Sequence, residues 1–120
     1  MYKVTRKTTE KPMRFMLGDS VVEFNLPNET AVSRFKEIQA ELAALHQQQD
    51  DPDIVEKIGA CIIRLMRLFF GNDITETMLV FFEGNYVEMI EQMFPYIDKE
   101  IIPEIKRRSK ARAKAMKRRK

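Results

Sequence analysis

Residues 54–70 constrain the fold more than any other stretch. On a helix, Ile54, Ile58, Cys61, Ile62, Leu65 and Phe69 share one face, while Ile63, Met66 and Phe70 spread onto a second. Arg64 and Arg67 keep a thin polar edge. A helix that is apolar over most of its circumference has to be buried centrally or shared with a partner. Its ends are marked as well. Asp51 is placed to cap it, Pro52 suits the first helical position, and Gly71 stops it after Phe70. The two arginines interrupt the apolar run well short of the about 20 consecutive residues that a membrane span needs, so no membrane segment is expected.

The segments around this helix are short and differently patterned. Met13, Phe15 and Leu17 alternate with Arg14 and Met16, and Val22, Phe24 and Leu26 alternate with Val21, Glu23 and Asn25. Gly18-Asp19-Ser20 lies between the two runs, which predicts a β-hairpin with one apolar face. A lone hairpin is marginal in water, so that face must pack on something. Pro27 ends the second strand, and Asn28 can cap a helix over 29–49 whose stripe of Val32, Phe35, Ile38, Leu42 and Leu45 is narrow. A short third helix over about 74–83 carries Ile74, Met78, Leu79 and Phe82. Gly84-Asn85 breaks it and caps a fourth, in which Tyr86, Ile90, Met93, Phe94, Ile97, Ile101 and Ile105 keep a helical period. Pro95 and Pro103 each remove a backbone donor and are expected to kink or break that fourth helix.

The expected fold is therefore mainly α: a small helical domain of about four helices with an N-terminal β-hairpin. At 120 residues, one domain with a modest core is the default. The domain spans 13–105. Residues 1–12 form a flexible basic arm, and residues 106–120 form a basic tail that is helical or disordered.

Charge is segregated along the chain. Residues 106–120 hold ten Lys and Arg and no acid, and residues 1–14 hold five against Glu10 alone. Residues 15–105 hold seventeen acids against six bases, so an acidic body lies between basic ends. Blocks of this kind are interaction tails or solvated ends. The tail carries no aromatic residue to stack on bases, so single-stranded nucleic acid is not favoured. Three uses remain open for it: solubilisation or neutralisation by acidic bodies, an acidic protein partner, and nucleic acid.

Groups for bond-making chemistry are scarce. His46 is the lone histidine and sits in a polar helix end before Gln47-Gln48-Gln49, where a solvated surface role is expected. Cys61 is the lone cysteine, at helical spacing between Ile58 and Leu65, and reads as a small buried hydrophobe. Together they fall short of a zinc site or a nucleophile with its base. The four glycines do not cluster into a phosphate-cradling loop. Asp50, Asp51 and Asp53 lack the later Gly and Glu of a calcium loop, and helix capping accounts for them. No enzyme activity and no cofactor are expected. The start is polar and basic, without the apolar core of a signal peptide, which points to the cytoplasm.

What the chain offers is surface. The second face of the apolar helix (Ile63, Met66, Phe70) can serve the core, a partner helix or self-association. Neighbours on a helix point about 100° apart, so one member of the Phe81-Phe82 pair falls off the main core, and Phe81 is the candidate. Arg107, Arg108, Lys117, Arg118 and Arg119 are the candidate contacts in the tail.

The order of these features resembles one family. A hairpin segment, Arg14-Phe15-Met16-Leu17-Gly18-Asp19-Ser20-Val21-Val22-Glu23-Phe24, precedes a polar helix and then an apolar helix ending Leu68-Phe69-Phe70-Gly71-Asn72-Asp73. A short helix and the segment Glu83-Gly84-Asn85-Tyr86-Val87-Glu88-Met89 follow, and a charged end closes the chain. This layout over 14–105, and the run LFFGNDITETM in particular, resembles the tail assembly chaperones encoded between the tail tube and tape-measure genes of siphophages. The resemblance implies a protein of the bacterial host cytoplasm that coats the apolar, helical tape-measure protein. It would keep that protein soluble while tail tube subunits polymerise, and then leave the finished particle. It also implies that a longer form can arise by ribosomal frameshifting, and it brings no catalytic residues. The very basic tail after Lys106 departs from the family pattern. Two other classes compete: a nucleic-acid-associated adaptor acting through the tail, and a structural virion subunit such as a head-tail completion protein.

Overall fold

A computed structural model of the chain describes residues 1–3 and 11–118, the side chain of Arg118 excepted. The chain is mainly helical with an N-terminal two-stranded antiparallel hairpin. Strand β1 is Met13–Leu17 and β2 is Ser20–Phe24, in the register Phe15 to Val22 and Met16 to Val21. The register leaves a two-residue turn whose first position, Gly18, has φ 61°, the place a type II′ turn reserves for glycine.

Helix α1 is Thr30–His46. Asn28 works at its start, its Oδ1 accepting the Thr30 backbone N–H at 3.1 Å. Helix α2 is Ile54–Phe81. Asp51 Oδ1 accepts the Asp53 N–H at 2.8 Å, and its carboxylate also pairs with Lys57. Helix α3, Tyr86–Tyr96, opens with Asn85 Oδ1 accepting the Glu88 N–H at 3.1 Å. A wider π-helical segment, Ile97–Ile101, leads without a break into α4, Ile102–Arg118.

Among the described residues three helical rods stand where about four helices are expected, because the second and third expected helices share one rod across Gly71. The stop expected at Gly71 is present: its backbone breaks the helix, and a second helical limb follows across a kink. Gly71 is the one residue inside α2 with non-helical backbone (φ 82°, ψ 175°), and the helix resumes at once. Thr75 Oγ1 donates to the Gly71 carbonyl at 2.6 Å, which gives that oxygen a partner. The segment over 74–83 is therefore the far limb of α2. Pro95 and Pro103 do not break the last rod. The irregularity they introduce gathers in the π segment between them, which lets the chain shift register past two missing donors.

Helix α2 is central, as its pattern demands. Ile62, Leu65, Met66 and Phe69 are all fully buried. Removing one such side chain to Ala costs about 2–5 kcal/mol. Two aromatic groups fix its neighbours. Phe15 and Phe24 of the hairpin meet Phe70 of α2 at centroid distances of 5.5 and 4.8 Å, and Phe15 also meets Tyr96 at 5.5 Å. On the other side Phe35 of α1 meets Phe69 and Phe94, both at 5.7 Å. Gly59 lets α3 approach: a Cβ there would stand 2.5 Å from the Tyr86 ring.

The molecule measures 57 × 33 × 32 Å. The first turns of α4 bury Ile102 and Ile105, and each of residues 110–117 is exposed.

Candidate functional site: an apolar groove and a basic helix

The hairpin turns its inner face to the core and keeps two apolar side chains on its outer face. Met16 and Val21 are cross-strand partners, exposed by 59% and 63%. Beside them Phe81 is 48% exposed, stacked edge-on against buried Phe82, with its ring over Gly18. A groove of about 410 Å³ runs between the hairpin turn, the end of α2 and α3. Buried Leu17, Phe82 and Met93 line it together with half-buried Phe15 and Tyr96, and Glu88 and Gln92 form a polar border. Tyr96 donates its hydroxyl to the Arg14 carbonyl at 3.3 Å, and burial, with Glu100 nearby, pushes its phenol up to about 12. A smaller apolar hollow of about 280 Å³ lies between Val55 and Ile58 of α2 and Tyr86 and Val87 at the start of α3. Val55 and Val87 are exposed there, and Val80 is exposed on the far limb of α2.

These positions differ from most of those expected. Met66 and Phe70 are sealed in the core, because the docked hairpin covers Phe70 with Phe15 and Phe24. Ile63 is half-buried. Met66 and Phe70 are thus occupied within the monomer, whereas Ile63 keeps part of its surface exposed. Phe81 does lie off the core. The sequence carried a signal for Met16 and Val21 that alternation alone hides: two apolar side chains opposite one another on the polar side of a hairpin. Val55 and Val87 carried none.

The basic end is built asymmetrically. Glu104 accepts from Arg107 Nε and from Arg108 Nε, each at 2.9 Å, and these two guanidiniums hold its carboxyl down to about 2. Arg108 also donates to the Lys11 carbonyl at 2.8 Å, and Arg112 pairs with Glu29 at 3.4 Å. Arg108 and Arg112 therefore tie α4 to the body, while Arg107 braces Glu104 within the helix. The three arginines border a groove of about 540 Å³ together with Lys11, Ala111 and Ala115. Lys106, Lys110, Lys114 and Lys117 are exposed, and none of the four is in an ion pair among the described residues. Arg118 ends α4, and Arg119 lies outside the described residues.

Elsewhere, Cys61 is buried, and burial pushes its thiol up. His46 is exposed, with Nδ1 2.7 Å from the Leu42 carbonyl. Among the described residues no cluster of His, Cys, Asp and Glu is arranged to hold a metal ion, and no helix is long and apolar enough to cross a membrane. No protein-family model, curated protein or solved structure matches this chain.

Proposed function

We propose that this protein is an assembly chaperone that covers apolar helical segments of an elongated partner, as the resemblance to phage tail assembly chaperones implies. The partner on that reading is the tape-measure protein, with the tail tube protein as a second candidate. The observation that carries the reading is the open groove beside Met16, Val21 and Phe81. Large apolar side chains held exposed around a concave, partly apolar floor match the mode in which an amphipathic helix lays its apolar face into a groove. The acidic body around it keeps such a complex hydrated.

Co-expression tests it. A tape-measure protein that is insoluble alone should become soluble with this chain and stay with it in a pull-down. Phe81→Asp and Met16→Asp alter exposed positions, so the fold should persist while retention falls at least about tenfold, the loss of about 1.4 kcal/mol. If the tape-measure protein stays insoluble with the wild-type chain, or the two variants retain it fully, the reading fails. A chain recovered in purified particles would instead indicate a virion subunit.

A further inference from the structure

We infer that α4 is a binding element for B-form duplex DNA, indifferent to sequence, and that its row of lysines supplies the contacts. The inference rests on α4 alone and is independent of the groove. At about 100° per residue, Lys106, Lys110, Lys114 and Lys117 fall within roughly a quarter of the helix circumference and along about 16 Å of its length. All four are exposed, with no ion pair among the described residues. The arginines of the same helix are used differently: Arg107 and Arg108 grip Glu104, and Arg112 reaches Glu29. Arg suits fixed, forked bonds within a protein, and Lys is a hydrated point charge on a flexible stem. The structural cations have thus been separated from the outward ones.

The chemistry of the row selects the ligand. Lys is depleted from protein interfaces, which need apolar anchors at their centre, and α4 beyond Ile105 offers only Met116. Nucleic-acid interfaces are strongly cationic and need no such anchor. A membrane surface attracts Lys too, but stable attachment needs a second signal such as an inserted apolar face, and residues 106–118 have none. The helix has no aromatic side chain on which unpaired bases would stack. Residues 110–117 are each exposed, and the lysine row lies on the side of α4 roughly opposite Arg108 and Arg112, which meet the body, so the lysine side can enter a groove rather than only lie against one. A helix about 10–12 Å across fits the major groove of B-DNA at about 12 Å, whereas the deep, narrow major groove of A-form RNA excludes it. Phosphate contacts position without reading sequence, hence the indifference.

The test is fluorescence anisotropy of a labelled 20-base-pair DNA duplex with the full chain. Four lysine–phosphate contacts predict a slope near −3.6 for log affinity against log salt, a loss of about 150-fold between 50 and 200 mM. Replacing the four lysines with Gln, which preserves helix propensity, should abolish binding at 150 mM salt with the circular dichroism spectrum unchanged. Replacing them with Arg should restore it, and Phe81→Asp should leave it intact. Failure to bind at 50 mM salt, undiminished binding by the Gln variant, or tighter binding to an RNA duplex, to phosphatidylserine vesicles or to polyglutamate would each overturn the inference.

Discussion

Replacing Gly59 by Ala sets two known effects against each other at one atom. Gly59 is buried in α2, where Ala is favoured over Gly by about 1 kcal/mol because glycine gives up more backbone freedom. The added Cβ would lie 2.5, 2.8 and 2.8 Å from Cε2, Cδ2 and Cζ of Tyr86, where carbon–carbon contact prefers about 3.5–4.0 Å. The ring must retreat by about 1 Å or swing out. Overpacking of this kind costs about 1–3 kcal/mol. Swinging Tyr86 away from Val55 and Ile58 to re-expose some 50 Å² of apolar surface costs about 1.2 kcal/mol, within the same range. The balance is a destabilisation of about 1 kcal/mol in the wild type. With Tyr86→Ala the obstacle is gone, so the same substitution should stabilise by about 1 kcal/mol. The coupling between the two positions is then about 2 kcal/mol, large enough to read from urea unfolding followed by circular dichroism at constant m-value. If Gly59→Ala stabilised both backgrounds equally, Tyr86 would not lie against α2 and the seating of α3 would be wrong.

Two further outcomes follow from the ionisable groups. Glu104 has a folded value of about 2 against an ordinary value of 4.5, so its charge contributes stability that is complete above about 4.5 and lost as pH falls toward 2. The stability gap between wild type and Glu104→Gln, measured by urea unfolding across that range, should narrow to nothing at the acid end; a constant gap would mean that the Arg107 and Arg108 contacts do not form. Cys61 is 2% exposed with its thiol raised by burial, so an aromatic disulfide reagent at pH 8 should modify it on the order of 10³-fold more slowly in the native chain than in urea, and equal rates would remove it from the core.

Much of this fold was legible because local rules and packing agree. The hairpin's alternation, the Gly18 turn, the Asn85 cap and the central burial of 54–70 each follow from residue chemistry at fixed spacing. The misread boundaries are places where one local rule was outweighed. Gly71 does break the helical backbone, but Thr75 partners its carbonyl and the next limb begins at once, so two expected helices share one rod. Pro95 and Pro103 each remove a donor, but buried Ile97, Ile101 and Ile105 hold the rod together and a π segment takes up the mismatch. The candidate surface was less legible for a different reason. Periodicity says which residues share a face of an element, not which element will cover that face. Phe70 and Phe81 lie at opposite limbs of the same helix, and only the position of the hairpin puts one in the core and leaves the other beside a groove.

The two faces of the hairpin are built differently. Its inner face supplies Phe15 and Phe24 to an aromatic group shared with Phe70 and Tyr96, which gives a two-stranded sheet the support it lacks alone. Its outer face has no packing duty, so Met16 and Val21 gain nothing for the monomer by being apolar, and Arg14 and Glu23 on the same face show what an ordinary solvated pair looks like. An exposed cross-strand pair of apolar side chains next to an exposed Phe is a cost in solubility that the fold alone does not require. The lysines of α4 pose the same question in charge: like-charged neighbours at helical spacing oppose the helix that carries them. Each feature acts against the isolated chain, and on the proposed readings each would be relieved by a ligand of opposite kind, an apolar helix in one case and a polyanion in the other. Because apolar contact is insensitive to moderate salt and phosphate contact is steeply weakened by it, the two proposed surfaces would answer to different conditions, and neither ligand would have to displace the other.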